Sequence, residues 1–353
     1  MPNAYFFKGL LYLFLSIISW VISFTLKKIV FNGPEFNFDK PFMFVMFSEF
    51  FKITILLTVF FDKVKMNEIR NWNKEQFLNI FDLSIKLELF LFGANMFGNF
   101  GLSLTDVGTS FVLLSTSIVF VFFFSLLILK DKFNLYKLAL SLICFGGTFF
   151  IAADSNTGSK DTILGYILLI CGSSCNALYS VSTKKLYDAN IFGRWLIVYG
   201  IGGIVPLFFT PLFYILNWTN LEIFELPSLK VLGFLIVNAL LESVCVDYFF
   251  SKSFNYLHPL LVEVGFSISG PLGLIVNMII FKIVQGFLFW GGALIIFVSF
   301  ILFGLVDYYE CFYSCFGKQT NIIQDINEIK ENKKEHNESE FDTKSYEQDL
   351  ILN

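Results

Sequence analysis

Apolar runs about as long as a bilayer is thick recur through the chain up to about residue 306. A helix rises 1.5 Å per residue, so about 30 Å of hydrocarbon takes roughly 20 apolar residues to cross. Ten such runs can be placed, near 6–26, 41–61, 87–105, 107–129, 135–153, 163–183, 195–216, 229–250, 259–281 and 286–306. The expected fold class is an all-α polytopic membrane protein with ten transmembrane helices, and its first obligatory partner is the lipid bilayer. Composition agrees, because 15% of the residues are charged where a soluble domain carries about a quarter. The first run follows Lys8 and is long enough to span, so it reads as a retained helix rather than a cleaved leader.

The net charge of −4 belongs to the end of the chain. Residues 318–353 hold nine Asp/Glu and five Lys, which leaves the remainder neutral. The segment 307–353 is accordingly expected to be an acidic, disordered tail. No basic stripe remains for nucleic acid. Two histidines without tight Cys/His spacing give no metal site, and no cofactor is expected. Cys144, Cys171, Cys175 and Cys245 lie in apolar runs as small hydrophobes, whereas Cys311 and Cys315 flank the last run and are candidates for palmitoylation. No nucleophile elbow, zinc-protease or Walker pattern occurs, so the chain does not read as an enzyme. The GIGG of residues 200–203 reads as close helix packing.

Lys and Arg gather in cytoplasmic loops, which sets an orientation. The N-terminus and the loops after the second, fourth, sixth and eighth runs hold thirteen of them (Lys8, Lys63, Lys65, Arg70, Lys74, Lys86, Lys130, Lys132, Lys137, Lys184, Lys185, Arg194 and Lys252). The opposite loops hold six (Lys27, Lys28, Lys40, Lys160, Lys230 and Lys282). Both termini are thus expected in the cytosol. The sequon at Asn217 then faces the other side close to the bilayer, and the match at Asn337 is cytosolic and unused.

Five runs precede the polar break at residues 154–161 and five follow it. An odd number per half inserts the second half upside down relative to the first, the plan of inverted repeats. Matches at a constant offset of 152 fit it: Ser115 with Ser267, Ser117 with Ser269 and Lys130 with Lys282. The expected domains are a five-helix repeat at 1–155, a second at 162–306, and the tail.

Polar side chains inside spans face a bundle interior or an aqueous cavity rather than lipid. Asn95, Asn99 and Ser103 share one helical face, as do Asn238 with Glu242 and Glu263 with Ser267. The cluster Gly270-Pro271-Leu272-Gly273 should kink or break the ninth helix. Glu49 and Lys52, three apart, read as a self-neutralised pair. Asn95 and Asn99 either bond neighbouring helices as packing glue or offer hydrogen bonds to a solute. Ser115 and Ser117 either bond back to their own helix or line the same cavity. Glu242 reads as a lone central carboxylate that would carry a coupling proton or face a cation, and Asp247 as an acid nearer the cytoplasmic end.

The run Ala94-Asn95-x-x-x-Asn99-x-x-Leu102-Ser103-x-Thr105-x-Val107, followed by Leu114-Ser115-Thr116-Ser117, resembles the EamA-like drug/metabolite transporter superfamily, most closely the F branch of solute carrier family 35. Asp39-Lys40-Pro41-Phe42, Tyr179-x-Val181-x-x-Lys184-Lys185 and Val246-Asp247-Tyr248-Phe249 fit that branch. So does Gly265-x-Ser267-x-x-x-Pro271-Leu272, whereas Val246 in place of a usual serine, Leu257-His258, the lack of a small hydroxyl residue near Glu263, and Gly270 depart from it. The likeness covers residues 5–306. It implies the drug/metabolite transporter fold, two inverted repeats, and carriage of a small polar organic solute by alternating access in an endomembrane (Golgi, endoplasmic reticulum or vacuole). The candidate solute-binding residues are Asn95, Asn99, Ser115, Ser117, Tyr179, Glu242, Asp247, Glu263 and Ser267. A thiamine-like cationic or zwitterionic solute, coupled to protons, is the first reading. Nucleotide-sugar exchange is the alternative, and a scaffold or receptor without transport is the second alternative. A homodimer is compatible with each.

Overall fold

The computed structural model describes residues 2–32, 40–61, 67, 70–105, 107–154, 162–188, 195–219, 222, 223, 225, 227–281 and 286–309. Every regular element among them is helical. Seven helices are long and apolar enough to cross a membrane: Ala4–Lys27, Thr109–Leu129, Leu135–Ala153, Ile163–Tyr187, Leu229–Ser253, Pro259–Ile280 and Phe287–Tyr309. The pair Ile197–Phe208 and Pro211–Trp218, bent by 40°, makes an eighth if it is one span. The protein is therefore a multi-pass membrane protein. The acidic tail with Cys311, Cys315 and Asn337, and residues Asp39 and Lys282, lie outside the described residues.

The two other expected spans are helical but charged. The first comprises α2 (Pro41–Phe50), a 3-10 turn at Phe51–Ile53 and α3 (Thr54–Phe61), and it carries Glu49 and Lys52. The second, expected at 87–105, is the end of a longer α4 (Lys74–Ser103). Its early turns lie in what reads as a polar separator, and they form helix because Gln76 Oε1 accepts from Asn73 N–H at 3.2 Å, a reciprocal N-terminal cap.

The other elements are α1 (Pro2–Asn32), α5 (Val107–Ser115), α6 (Ser117–Phe124) with a π turn at Ser125–Leu129, α7 (Leu135–Asp154), α8 (Ile163–Asp188) and α9 (Trp195–Gly202). They continue with α10 (Val205–Phe208), α11 (Pro211–Trp218), α12 (Leu229–Ala239) with a π turn at Leu240–Val246, α13 (Asp247–Ser253), α14 (Pro259–Phe266) and α15 (Ser269–Phe281). The last is α16 (Phe287–Tyr309). Residues Ala4–Gly304 form one compact unit.

Two of these spans carry a one-turn interruption of the helix near their middles. Between α5 and α6, Thr116 N–H turns to Leu113 O at 3.2 Å, a tighter bond than the helical one. Between α14 and α15, Ile268 N–H does the same to Gly265 O at 3.1 Å. The second break lies one turn before Pro271, which has no N–H for Ser267 O, and Gly270 N–H takes that oxygen instead at 3.3 Å. The interruption thus falls at Ser267–Ile268, ahead of the Gly-Pro cluster, and the cluster itself lies within α15.

Large apolar side chains point outward, among them Phe14 and Ile22 on α1, Ile143 and Phe150 on α7, and Phe297 and Ile301 on α16. In a bilayer they meet lipid at no cost, so small residues and polar groups carry the helix contacts. One such contact joins α7 to α16. A Cβ at Gly147 or at Gly292 would run into the other's carbonyl oxygen.

Candidate functional site

Lys52 sits in the 3-10 turn after α2, and its side chain is wholly buried. Its ammonium pairs with Glu49 one turn earlier, with Glu88 Oε1 of α4 at 2.8 Å, and with Asp247 Oδ2 of α13 at 3.4 Å. The ring of Tyr199 on α9 lies 4.9 Å from it. The GIGG run is what admits α9 to this place: a Cβ on Gly203 would stand 2.6 Å from Ile53 N, and one on Gly202 would stand 2.8 Å from Glu88 Oε2. Close packing is its role, and what it packs against is the buried charge. Asn95 joins by donating to Glu49 Oε1 at 2.6 Å. The self-neutralised Glu49–Lys52 pair is thus a correction: it forms, but as part of a cluster of three carboxylates around one ammonium, drawn from four elements. Spacing along one helix reveals the first partner only.

A second charge pair lies on α1. Lys27 pairs with Glu242, which also accepts from Asn238 Nδ2 at 2.9 Å, and Ser23 donates to Asn238 Oδ1 at 2.9 Å. Glu242 stands in the π turn after α12, an irregularity that re-aims side chains. The reading of Glu242 as a lone carboxylate is therefore corrected. Its cation comes from a helix more than two hundred residues away in sequence, which no local pattern displays.

Glu263 is answered differently. Nearly wholly buried on α14, it accepts from Ser180 Oγ (2.5 Å) and Asn176 Nδ2 (3.1 Å) on Oε1. On Oε2 it accepts from Ser117 Oγ (3.3 Å) and Asn176 Nδ2 (3.4 Å). Ser117 is the first residue of α6 after its break, and Asn176 and Ser180 share a face of α8. Thr116, at the break itself, reaches Ser173 of α8 at 2.7 Å.

Of the remaining candidates, Tyr179 bonds Ser251 of α13 at 2.6 Å, next to the Lys52 cluster. Asn99 donates to Asn95 O at 2.7 Å and Ser115 to Phe111 O at 2.6 Å, both on their own helices. Ser267 donates to Val264 O at 2.6 Å and meets Cys144 Sγ at 3.3 Å. The structure thus gathers Asn95 and Asp247 at Lys52, and Ser117 with Glu263. Glu242 stands in a third group, Asn99 and Ser115 bond within their own helices, and Ser267 bonds locally and also meets Cys144 of α7. Sequence reasoning missed Glu88, Asn176, Ser180 and Lys27 as members. Asn176 and Ser180 repeat the four-residue spacing of Asn95 and Asn99, and Glu88 is an acid within an apolar run, so both signals were present.

The model of the EamA-like transporter family matches residues 7–153. That stretch of the chain is EamA-like. The resemblance drawn from the motifs extends to the F branch: solute carrier family 35 member F5 of Pongo abelii and of Mus musculus are each 28% identical over 225 residues, 62% of this chain and 43% of the relative. The chain therefore aligns with somewhat under half the length of these curated relatives. A thiamine-repressible mitochondrial transport protein of Saccharomyces cerevisiae is 28% identical over 229 residues, 62% of this chain and 61% of that protein. A solved crystal structure superposes with a TM-score of 0.62 at 12% identity, over 87% of this chain and 97% of that one, which shows a shared fold and nothing of function.

Proposed function

We propose that the protein is a secondary carrier of a small polar organic metabolite, cationic or zwitterionic, working by alternating access through two inverted five-helix repeats, 1–155 and 162–306. In this reading 41–61 and 87–105 also span, which brings the count to ten. One observation carries it: the two broken spans interrupt at Thr116 and at Ser267–Ile268, 152 residues apart, and meet where Ser117 touches Glu263. Broken helices at a repeat interface are where carriers place their sites. The reciprocal Gly147–Gly292 contact of the last helix of each half adds support. The EamA-like match and the relatives named as carriers and transport proteins point the same way.

The solute site includes Asn95, Asn99, Ser115, Ser117, Tyr179, Glu242, Asp247, Glu263 and Ser267, with Asn176 and Ser180 added by the geometry. Nucleotide-sugar exchange fits less well. Anionic cargo wants a cation to bind, and of the lysines described in the interior Lys52 faces three carboxylates and Lys27 faces Glu242. The proposal puts both termini in the cytosol, from the Lys/Arg bias of the loops, and the protein in an endomembrane. A yeast relative, 26% identical over 250 residues, is named as a vacuolar membrane protein.

The test is a screen of purified protein for thermal stabilisation by thiamine, nucleotide sugars, nucleotides and amino acids. A ligand at about 100 times its Kd adds about 2.7 kcal/mol to the folded state. A hit among the cationic or zwitterionic compounds supports the reading. N99L should then remove the stabilisation at little cost to the unliganded fold, because among the described residues Asn99 bonds within its own helix. N95L removes it too, and also weakens the cluster that Asn95 supports. Stabilisation by nucleotide sugars alone selects the alternative; no stabilisation by any compound favours a scaffold.

A further inference from the structure

We infer that Glu263, and neither Glu242 nor the Lys52 cluster, is the group on which a coupling proton rides; this rests on the carrier reading and assigns its coupling site. In each cycle the carboxylate binds one proton from one compartment and releases it to the other, with no other bond made or broken.

Among the described residues Glu49, Glu88, Asp247 and Glu263 are buried in this interior and Glu242 is partly buried beside them, while Glu222, also buried, accepts from Phe42 and Met43 N–H at the start of α2. Glu49, Glu88 and Asp247 share Lys52, and Glu242 has Lys27. Glu263 has four contacts from Ser117, Asn176 and Ser180, all of them neutral. No element packed on α14 brings a charge to Glu263 among the described residues; Asp131 meets His258 at the N-cap of α14, five residues earlier. From α6 comes Ser117. From α8 come Asn176 and Ser180, while Tyr179 is turned to Ser251. From α7 comes Cys144, held at Ser267. Leu13 of α1 and Phe300 of α16 close over Gly265, Phe250 of α13 packs on Phe266, and Phe111 of α5 lies against Gly270.

The chemistry of the cage matters as much as its neutrality. An ammonium only donates, so it holds a carboxylate in its charged form. Serine hydroxyls both donate and accept, and an asparagine side chain offers a carbonyl beside its amide. Ionised Glu263 takes hydrogen bonds from all three partners. Protonated Glu263 keeps bonds to one oxygen and donates its own proton to a turned hydroxyl or to the Asn176 carbonyl. Either state is satisfied without moving the backbone, and without protonation a net charge stays in a membrane interior where it is costly.

Position links the proton to movement. Glu263 lies one turn before the break at Ser267–Ile268, and Ser117 directly follows the break at Thr116. The proton therefore decides whether the two broken helices are tied by charge-assisted bonds, roughly twice as strong as neutral ones, or by neutral bonds. Taking it up loosens the tie.

The experiment is infrared difference spectroscopy of the full chain in lipid, titrated from about pH 9 to about pH 5, a range in which a buried carboxyl can change state. A protonated-carboxyl C=O band should grow as the pH falls. It should be missing in E263Q and retained in E242Q. S180A guards against misfolding of E263Q: losing the bond to Oε1 should move the band to higher frequency. A band that survives in E263Q, a carboxylate that stays ionised throughout, or stabilisation by sodium that E263Q abolishes without any such band overturns the proposal. The band needs no solute, so it is read independently of whether the solute screen succeeds.

Discussion

Lys52 and Glu263 both mark places where acids are buried among the helices, and the two places are built on opposite terms. At Lys52 three carboxylates converge on one ammonium, with Asn95 supporting Glu49 and Tyr199 over the charge. At Glu263 one carboxylate meets a carboxamide and two hydroxyls. Opposite charges fix each other, and removing one strands the rest. Neutral partners that can reverse their hydrogen bonds leave the acid free to change state. The first arrangement suits a structural hub that ties α2, α4, α9 and α13 together, and the second suits a switch between broken helices.

The largest effect that would break this contrast is expected from Lys52→Met. It leaves Glu49, Glu88 and Asp247 buried without their cation, a loss of about 3–5 kcal/mol by the behaviour of broken buried pairs. Thermal unfolding in detergent should show it, and E88Q added to K52M should return part of the loss. By contrast, E263Q keeps the side-chain shape and most hydrogen bonds and should cost about 1 kcal/mol or less. Equal losses in the two variants would erase the distinction between hub and switch.

A smaller effect sharpens the comparison from outside the bilayer. Between α6 and α7, Asp131 accepts from His258 Nε2 at 2.7 Å, while His258 Nδ1 caps α14 by accepting from Leu260 N–H at 3.3 Å. Partial burial pushes the Asp131 carboxyl up, but the hydrogen bond and charge of His258, with Lys137 and Lys184, outweigh it and hold the carboxyl below its usual range. A depressed carboxyl stabilises the fold above its unfolded pKa of about 3.9 and loses that contribution as the pH falls through the folded value. D131N should therefore destabilise the fold slightly at neutral pH, by about 1 kcal/mol or less for this partly exposed pair, read as a lower melting temperature. The gap to the native chain should close in acid. A gap that persists in acid would mean that the contact acts by packing alone.

The helices and much of the polar interior were legible in the sequence. Runs of hydrophobic length placed the seven helices long and apolar enough to cross, because a bilayer dictates length and polarity at once, whereas the runs at 41–61 and 87–105 are helical but charged. The Gly-Pro cluster announced the break before Pro271, since proline chemistry is local. The extra turns of α4 were not read, because its capping residues sit in a polar stretch that hydropathy assigns to a loop. Partners across the bundle were hidden for a different reason. Glu242 meets Lys27, and Lys52 meets Glu88 and Asp247, through tertiary contacts that no spacing along one helix encodes. The GIGG run was read as packing, yet only the structure shows that Glu88 fills the space beside Gly202.

The central proposal is that the halves of the chain are inverted repeats and that the polar interior between them opens to each side of the membrane in turn. Cysteines placed singly at positions 95, 99, 176 and 267, in a background without the native thiols, test it most directly through labelling by impermeant reagents from each compartment. The account predicts that each site reacts from one side in one condition and from the other when pH or solute is changed. Sites sealed from both compartments under every condition would contradict it.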